Sequence, residues 1–307
     1  MKQIALSGTG LSVSVIGLGF WRLGKQPERD IAALLKAAID RGVTLFDHAD
    51  IYGQGECEAV FGAATGWTAA QRERYVIQTK CGIRPDPGGK YYDSSAAHIL
   101  KSVDTSLKRL RTDYIDILLI HRPDALMEPE EMGRAFERLR AEGKVRNFGV
   151  SNMRPLQMER IAACAPVPLI ASQLQFGLGH AGLVAAGMAA NMEIGQGVVR
   201  DSDVLDYCRL KGVLVQAWSP LQHGEKGMIL DNPALPELNR ELETVAVRKG
   251  VSKTAVALAW ILRIPGVMPV LGTGNPEHLG LACDAAEIEL DRQEWYNLFR
   301  AAGYVTP

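Results

Sequence analysis

Much that would mark a specialised chain is scarce in this sequence. Its 307 residues hold five cysteines, Cys57, Cys81, Cys164, Cys208 and Cys283, an odd number with no CxxC pair among them. That spacing supports neither a disulfide framework nor a zinc centre, and it fits a reducing cytoplasm. Cys81, although next to Lys80, reads as a small buried hydrophobe. The formal charge is −1 with 22% charged residues, so no excess of one sign draws the chain to nucleic acid or to an anionic membrane. No apolar run is long enough to span a bilayer. The opening MKQIALSGTGLSVSVIGLGF is broken by Gly8, Gly10 and polar residues, where a signal peptide would be continuously apolar. The GTG at 8–10 would need a third glycine at 13 to complete GxGxxG, and that position is Val13; GxxxxGK is absent throughout. Rossmann and P-loop readings therefore lose their support. No linker, charge block or repeat divides the chain, and one domain over residues 1–307 is expected.

What is present is a rhythm. Apolar, β-branched runs at 13–19, 42–47, 75–80, 114–121, 145–152, 168–173, 213–220 and 267–273 alternate with helical patterns, as βα units around a parallel sheet do. After the third run, Asp93, Ser94 or Ser95 can cap a helix with Ile99, Leu100, Val103, Leu107 and Leu110 on one face. The first residues read as two short strands around Gly8-Thr9-Gly10, a hairpin ahead of the repeats. Two long connections, 82–95 and 174–203, interrupt the alternation, the second with room for a short helix near Leu183–Met192.

Each of several runs ends in a polar or aromatic side chain: Asp47, Lys80, His121, Ser151-Asn152, Gln173, Trp218-Ser219 and Gly272-Thr273. In a β/α barrel those positions surround the mouth. A free phenol titrates near about 10, and a buried Lys80 ammonium beside Tyr52 is expected to bring that value down. Asp47 is the carboxylate available to keep Lys80 protonated. His121 can then hold a carbonyl oxygen beside the tyrosine hydroxyl. Such a set interconverts C=O and CH–OH if a hydride is supplied.

These residues carry a resemblance. DHADIYG resembles the Asp-x4-Tyr-Gly segment of the aldo-keto reductases, IQTK their lysine strand and LLIHRPD their histidine strand, and GVSN, QAWSPL and GTGNPEHL follow in the same order. The resemblance spans essentially the whole chain. It implies a (β/α)8 TIM barrel closed at the bottom by the N-terminal β-hairpin, with NADP or NAD lying extended across the top. It makes Asp47, Tyr52, Lys80 and His121 the catalytic tetrad, with Tyr52 as general acid. Ser151, Asn152 and Gln173 are expected at the nicotinamide carboxamide and Trp218 on its ring. Ser219 and Leu221 are expected at the pyrophosphate, and Gly272, Thr273, Gly274, Asn275 and His278 at the adenosine phosphate end.

The chain departs from the family pattern in places. Ser172 replaces a common Asn, which would loosen the carboxamide grip. No Lys or Arg stands between 272 and 278 to pair with a 2′-phosphate, which gives NAD(H) or dual use weight beside NADP(H). His48 replaces a common Thr and, with Trp21, Tyr52, Tyr91 and Tyr92, is expected to wall a pocket for a small carbonyl or alcohol. Two other functions compete: a cofactor-sensing regulatory subunit, which would not need Tyr52 and Lys80 together, and a metal-dependent hydrolase using His48, Asp50 and His121, for which HxD is a poor ligand signature. No metal is expected.

Overall fold

Near-continuous apolar runs, covered on both faces, decide the architecture. Leu45-Phe46-Asp47 and Val76-Ile77-Gln78-Thr79-Lys80 are buried on both faces, as a parallel strand covered by helices must be. The computed structural model describes residues 1–165 and 167–307. In it eight parallel strands close on themselves in chain order: β1 (Gly17–Gly19), β2 (Leu45–Asp47), β3 (Val76–Cys81), β4 (Ile115–Ile120), β5 (Val145–Ser151), β6 (Leu169–Gln175), β7 (Leu214–Trp218) and β8 (Val267–Leu271). Around them run α1 (Glu28–Asp40), α2 (Glu56–Thr65), α3 (Ala69–Arg72), α4 (Ala96–Leu110), α5 (Pro129–Ala141), α6 (Pro155–Ala162), α7 (Gly182–Met188), α8 (Val204–Lys211), α9 (Pro236–Lys249), α10 (Lys253–Leu262), α11 (Pro276–Cys283) and α12 (Arg292–Ala301). The fold is a (β/α)8 barrel with an N-terminal hairpin.

The hairpin pairs Gln3–Ala5 with Ser12–Ser14. Its Leu6 and Val13 join Leu45, Val76, Ile117, Leu214 and Met268 in one buried cluster, so the hairpin plugs the end of the barrel where the strands begin. The run at 13–19 was expected to be one strand; it divides because Val13 is spent on this plug and only Gly17–Gly19 enters the barrel. Further along β2, β3 and β7 the inward positions turn polar: Asp47, Gln78, Lys80 and Gln216 follow the plug residues at steps of two. Hydrophobic filling thus ends halfway up, and the strand ends hold chemistry.

The predicted helix is α4, with Ser95 accepting the His98 amide at 3.3 Å and Ile99, Val103 and Leu110 buried. The first long connection folds into a hairpin, Ile83–Asp86 with Gly89–Tyr92. The second carries α7.

Candidate active site

Asp47 ends β2 and Lys80 lies near the end of the adjacent β3; Asp47 pairs in register with Gln78, so a side chain two residues on leans over the same point. The Lys80 ammonium is wholly buried. It donates to both carboxylate oxygens of Asp47 (2.8 and 2.7 Å), to the His48 carbonyl (2.7 Å) and to Tyr52 Oη (3.0 Å). Burial pulls the lysine's pKa down, but the charge of Asp47 and then Tyr52 outweigh it and leave it above the usual value. Tyr52 opens a tight turn, Tyr52–Gly55, whose Gly53 and Gln54 adopt left-handed φ of 56° and 58°, and its ring meets that of His121 edge-on at 5.8 Å. The tetrad expected from the sequence is therefore brought together.

One electrostatic expectation is corrected. Burial raises the Tyr52 pKa above its usual value; Lys80 opposes this, and Asp47 adds to it. The phenol faces a lysine already paired with a carboxylate, so it meets a nearly neutral pair, not a free cation. Tyr52 thus keeps its proton at neutral pH. His121 is held neutral: burial, then Lys80, Arg122 and Lys90, bring its pKa down to about 2. Its Nδ1 is buried with no partner among the described residues.

Asp47 is itself held by an amide network that sequence reasoning missed. Gln78 Nε2 donates to Asp47 Oδ1 at 2.6 Å and to Gln216 Oε1 at 2.7 Å, while Gln216 Nε2 returns a bond to Gln78 Oε1 at 2.8 Å. Gln173 Nε2 donates to Asp47 Oδ1 and Gln216 Oε1, both at 3.1 Å. Its amide hydrogens are thereby committed, and only its carbonyl oxygen is left to meet a carboxamide. The neighbouring Ser151 and Asn152 are joined by a 2.6 Å bond, and Asn152 Oδ1 accepts the Trp218 indole N–H at 3.2 Å. Asn152 and Ser219 both adopt positive φ, 55° and 48°, which turns the chain sharply at the ends of β5 and β7.

A second missed group underlies the tyrosine turn. Arg109 of α4 donates to the carbonyls of Asp50 (3.2 Å) and Gln54 (3.5 Å) and faces buried Glu58 at 3.5 Å. Gly55, at φ 96°, leaves room for it; a Cβ there would lie 2.1 Å from the Arg109 Cζ. Asp50 is pushed up to about 7, first by burial and then by Glu58. Lys108, Arg109 and Arg111 stand together at the end of α4, but nothing local in the sequence shows which loop Arg109 reaches.

The expectation for His48 is corrected. The His48 ring is fully buried, stacked on Phe20 at 4.6 Å and edge-on to Phe61 at 4.4 Å; it packs in the core and does not wall a pocket. Nor does it join a metal site: among the described residues no group of three or more His, Cys, Asp or Glu side chains could hold an ion. Ser172, one step before the inward-facing Gln173, turns away from the mouth, and its hydroxyl is buried with no hydrogen-bond partner among the described residues. Trp21 lies exposed with Arg22 stacked on it, and Tyr91 and Tyr92 are exposed on the hairpin after β3. Leu221 packs partly on the core. Thr273 Oγ1 accepts the Asn275 amide at 3.1 Å, and Asn275 caps α11 through the Glu277 amide at 2.8 Å. His278 is exposed, and Gly274 packs against Leu23 and Gln26 of the first βα loop.

A (β/α)8 barrel whose mouth joins a buried Asp–Lys pair to a tyrosine defines a class of carbonyl-acting proteins, and wider comparison places the chain within it. Residues 15–301 match the Aldo/keto reductase family, and the chain belongs to that family. It is an NAD(P)-dependent oxidoreductase acting on C=O and CH–OH groups. It is 37% identical to the oxidoreductase YcsN of Bacillus subtilis over the full length of both chains. It is 36% identical to a 6-dehydroglucose reductase of Agrobacterium fabrum, with 98% of each covered. A solved aldo/keto reductase from Klebsiella pneumoniae in complex with NADP and acetate superposes with a TM-score of 0.75 at 27% identity, covering 96% of this chain and 94% of that one. Among the described residues no helix is long and apolar enough to cross a membrane.

Proposed function

We propose that this protein reduces an aldehyde or ketone to an alcohol, or oxidises an alcohol or sugar by the reverse step, with Tyr52 as the proton donor. One observation carries the reading: the unbroken line from Asp47 through buried Lys80 to the Tyr52 hydroxyl. The side chains at the mouth fit a nicotinamide, because Asn152 is already oriented by Ser151 and Trp218 and the Gln173 carbonyl oxygen is left over. Bound there, the nicotinamide supplies hydride. Ser151, Asn152 and Gln173 would hold its carboxamide, Trp218 would give it an aromatic face, and Ser219, Leu221, Gly272, Thr273, Gly274, Asn275 and His278 would receive the rest of the dinucleotide.

Neutral His121 and protonated Tyr52 place two donors at the carbonyl oxygen, where charge develops. Tyr52 gives up its proton to that oxygen, and Lys80, 3.0 Å away, stabilises the phenolate left behind. Asp47 keeps the lysine charged throughout. In the oxidative direction the same phenolate takes the proton. The whole chain works as one domain, and its five free cysteines suit the cytoplasm.

Tyr52→Phe should lower turnover of an aldehyde by about 10²-fold or more while cofactor still quenches tryptophan fluorescence; a mutant that retains turnover overturns the assignment. We infer that both NADPH and NADH are used, because Thr273 and Asn275 are engaged in capping α11 and no cation stands among 272–278. Titration of each cofactor should give dissociation constants within about tenfold of one another, less than a guanidinium–phosphate pair would confer. A much larger preference for NADPH would show that a cation reaches the 2′-phosphate from another loop.

A further inference from the structure

We propose that the carbonyl substrate carries an anionic group, a carboxylate or a phosphate, and that Arg122, Arg154 and Arg200 bind it. The inference rests on the reduction proposed above and adds the charge of the compound reduced.

A cavity of about 370 Å³ opens on the side of the mouth formed by the loops after β4, β5 and β6. Three different loops each send an arginine to its wall: Arg122 directly follows His121, Arg154 precedes α6, and Arg200 comes from the long segment ahead of α8. Asn152 and Trp218 line the same cavity, so it is continuous with the platform assigned to the nicotinamide. Arg122 is half-buried, and Arg154 and Arg200 form an exposed rim.

None of the three takes part in an ion pair among the described residues. Elsewhere on the barrel Arg72, Arg84, Arg109 and Arg146 each meet a carboxylate. Asp201, which also lines the cavity, instead accepts the Asp203 amide at 3.3 Å. His180, from the same segment, is kept neutral by burial and then by His223, so it offers a donor without adding charge. The positive field reaches the reacting centre, since Arg122 and Lys90 stand close enough to His121 to help hold it neutral.

Like charges gathered around one concave site repel each other and contribute nothing to folding. Here they gather in a chain whose acids outnumber its lysines and arginines, 35 to 34. Guanidinium forks fit carboxylate and phosphate oxygens in paired hydrogen bonds. The phosphates of the dinucleotide do not account for them, because those are assigned to the ends of β7 and β8, beyond Trp218. The anion left to neutralise this wall belongs to the substrate, and a cavity of this size suits a small one.

The test compares matched pairs at fixed NADPH: butanal with succinic semialdehyde for the carboxylate, and glyceraldehyde with glyceraldehyde 3-phosphate for the phosphate. The charged member of at least one pair should have the higher kcat/KM, by about tenfold or more, the worth of a charge-assisted hydrogen bond, and added salt should erode the advantage. Whichever pair shows it identifies the anion. Arg154→Gln and Arg200→Gln should each collapse the charged-to-neutral ratio, mainly through KM, whereas Arg160→Gln, an exposed arginine on α6 outside the cavity, should leave it intact. Equal kcat/KM within both pairs, or a ratio unmoved by both substitutions, overturns the proposal. If no aldehyde of any charge is reduced, the reduction reading fails separately. Calorimetric titration of succinate and of inorganic phosphate into NADP-saturated protein then decides: binding lost in Arg154→Gln supports the site, and no binding overturns it.

Discussion

Two buried ion pairs occupy opposite ends of the barrel, and they have been put to different uses. At the end where the strands begin, Arg72 donates to Asp116 (2.7 Å), Thr112 Oγ1 (2.9 Å) and the carbonyls of Tyr75 and Tyr114 (2.8 and 2.9 Å). Asp116 also accepts the Ile77 amide at 2.9 Å, and Arg72 and Arg146 lie over the Tyr114 ring at 4.1 and 3.7 Å. This guanidinium, at the end of α3, is fixed by bonds to the segments just ahead of β3 and β4 and to Asp116 in β4. At the mouth, Asp47 and Lys80 are equally buried, but the lysine's last donor goes to Tyr52, whose hydroxyl can gain or lose a proton, and His121 Nδ1 beside it has no partner. A saturated pair is scaffold; a pair whose hydrogen-bond chain ends in an exchangeable proton is poised for chemistry.

The comparison is broken most forcefully at Lys80. Lys80→Met leaves Asp47 buried without its cation, which should cost about 3–5 kcal/mol of stability and at the same time abolish measurable turnover. Adding Asp47→Asn to that variant should restore much of the melting temperature without restoring activity. Recovery of both together would mean that the pair is only scaffold. The matching substitution at the other end, Arg72→Met, should also cost about 3–5 kcal/mol, read from urea unfolding, yet leave kcat per folded molecule unchanged because none of its partners touches the mouth.

The two ends were not equally legible in the sequence. A polar residue closing an apolar run is a local signal, so Asp47, Lys80, His121, Ser151 and Trp218 could be read one strand at a time. The same signal misled at His48, because inward and outward alternate at every residue and a ring one step past Asp47 turns to Phe20 and Phe61. Gln78 and Gln216 lie 138 positions apart, and only closure of the barrel brings Gln216 onto Gln78, which holds Asp47. The protonation of Tyr52 was misjudged for a related reason: the lysine was counted as a cation when its pairing makes it part of a near-neutral unit. The Arg72 cluster left no local trace, since its partners come from α3, β3, β4 and β5.

Acid titration should sharpen the contrast, since the mouth holds groups whose charge folding suppresses. His121 has a native pKa of about 2 against an ordinary 6.5, so between those values the unfolded chain binds a proton that the native one refuses. Stability contributed by this group falls as pH drops below 6.5. Asp50 works in the opposite sense: raised from 3.8 to about 7, it holds a native proton that the unfolded chain has lost, and stability falls as pH climbs through that window. Asp50→Asn should therefore melt higher than wild type near pH 7 and converge with it toward pH 3.8, while His121→Asn should blunt the acid loss. Parallel melting curves for wild type and Asp50→Asn across the window would show that Asp50 is ionised in the fold.

The smallest effect is expected at Arg109, which lies between the two categories. It is tied like scaffold, to Glu58 and two carbonyls, but those carbonyls belong to the turn that presents Tyr52. Arg109→Lys keeps a cation near Glu58 and loses the fork that spans Asp50 and Gln54. It should lower kcat by about two- to tenfold, at the scale of one hydrogen bond of about 1 kcal/mol, with KM and cofactor affinity little changed and melting reduced by only a few degrees. Arg109→Ala, which leaves Glu58 buried and unpaired, should fall further in both kcat and stability. If the lysine variant melts lower yet turns over at the wild-type rate, Arg109 belongs with Arg72 as scaffold, and Tyr52 is positioned by Lys80 and the Gly55 turn alone.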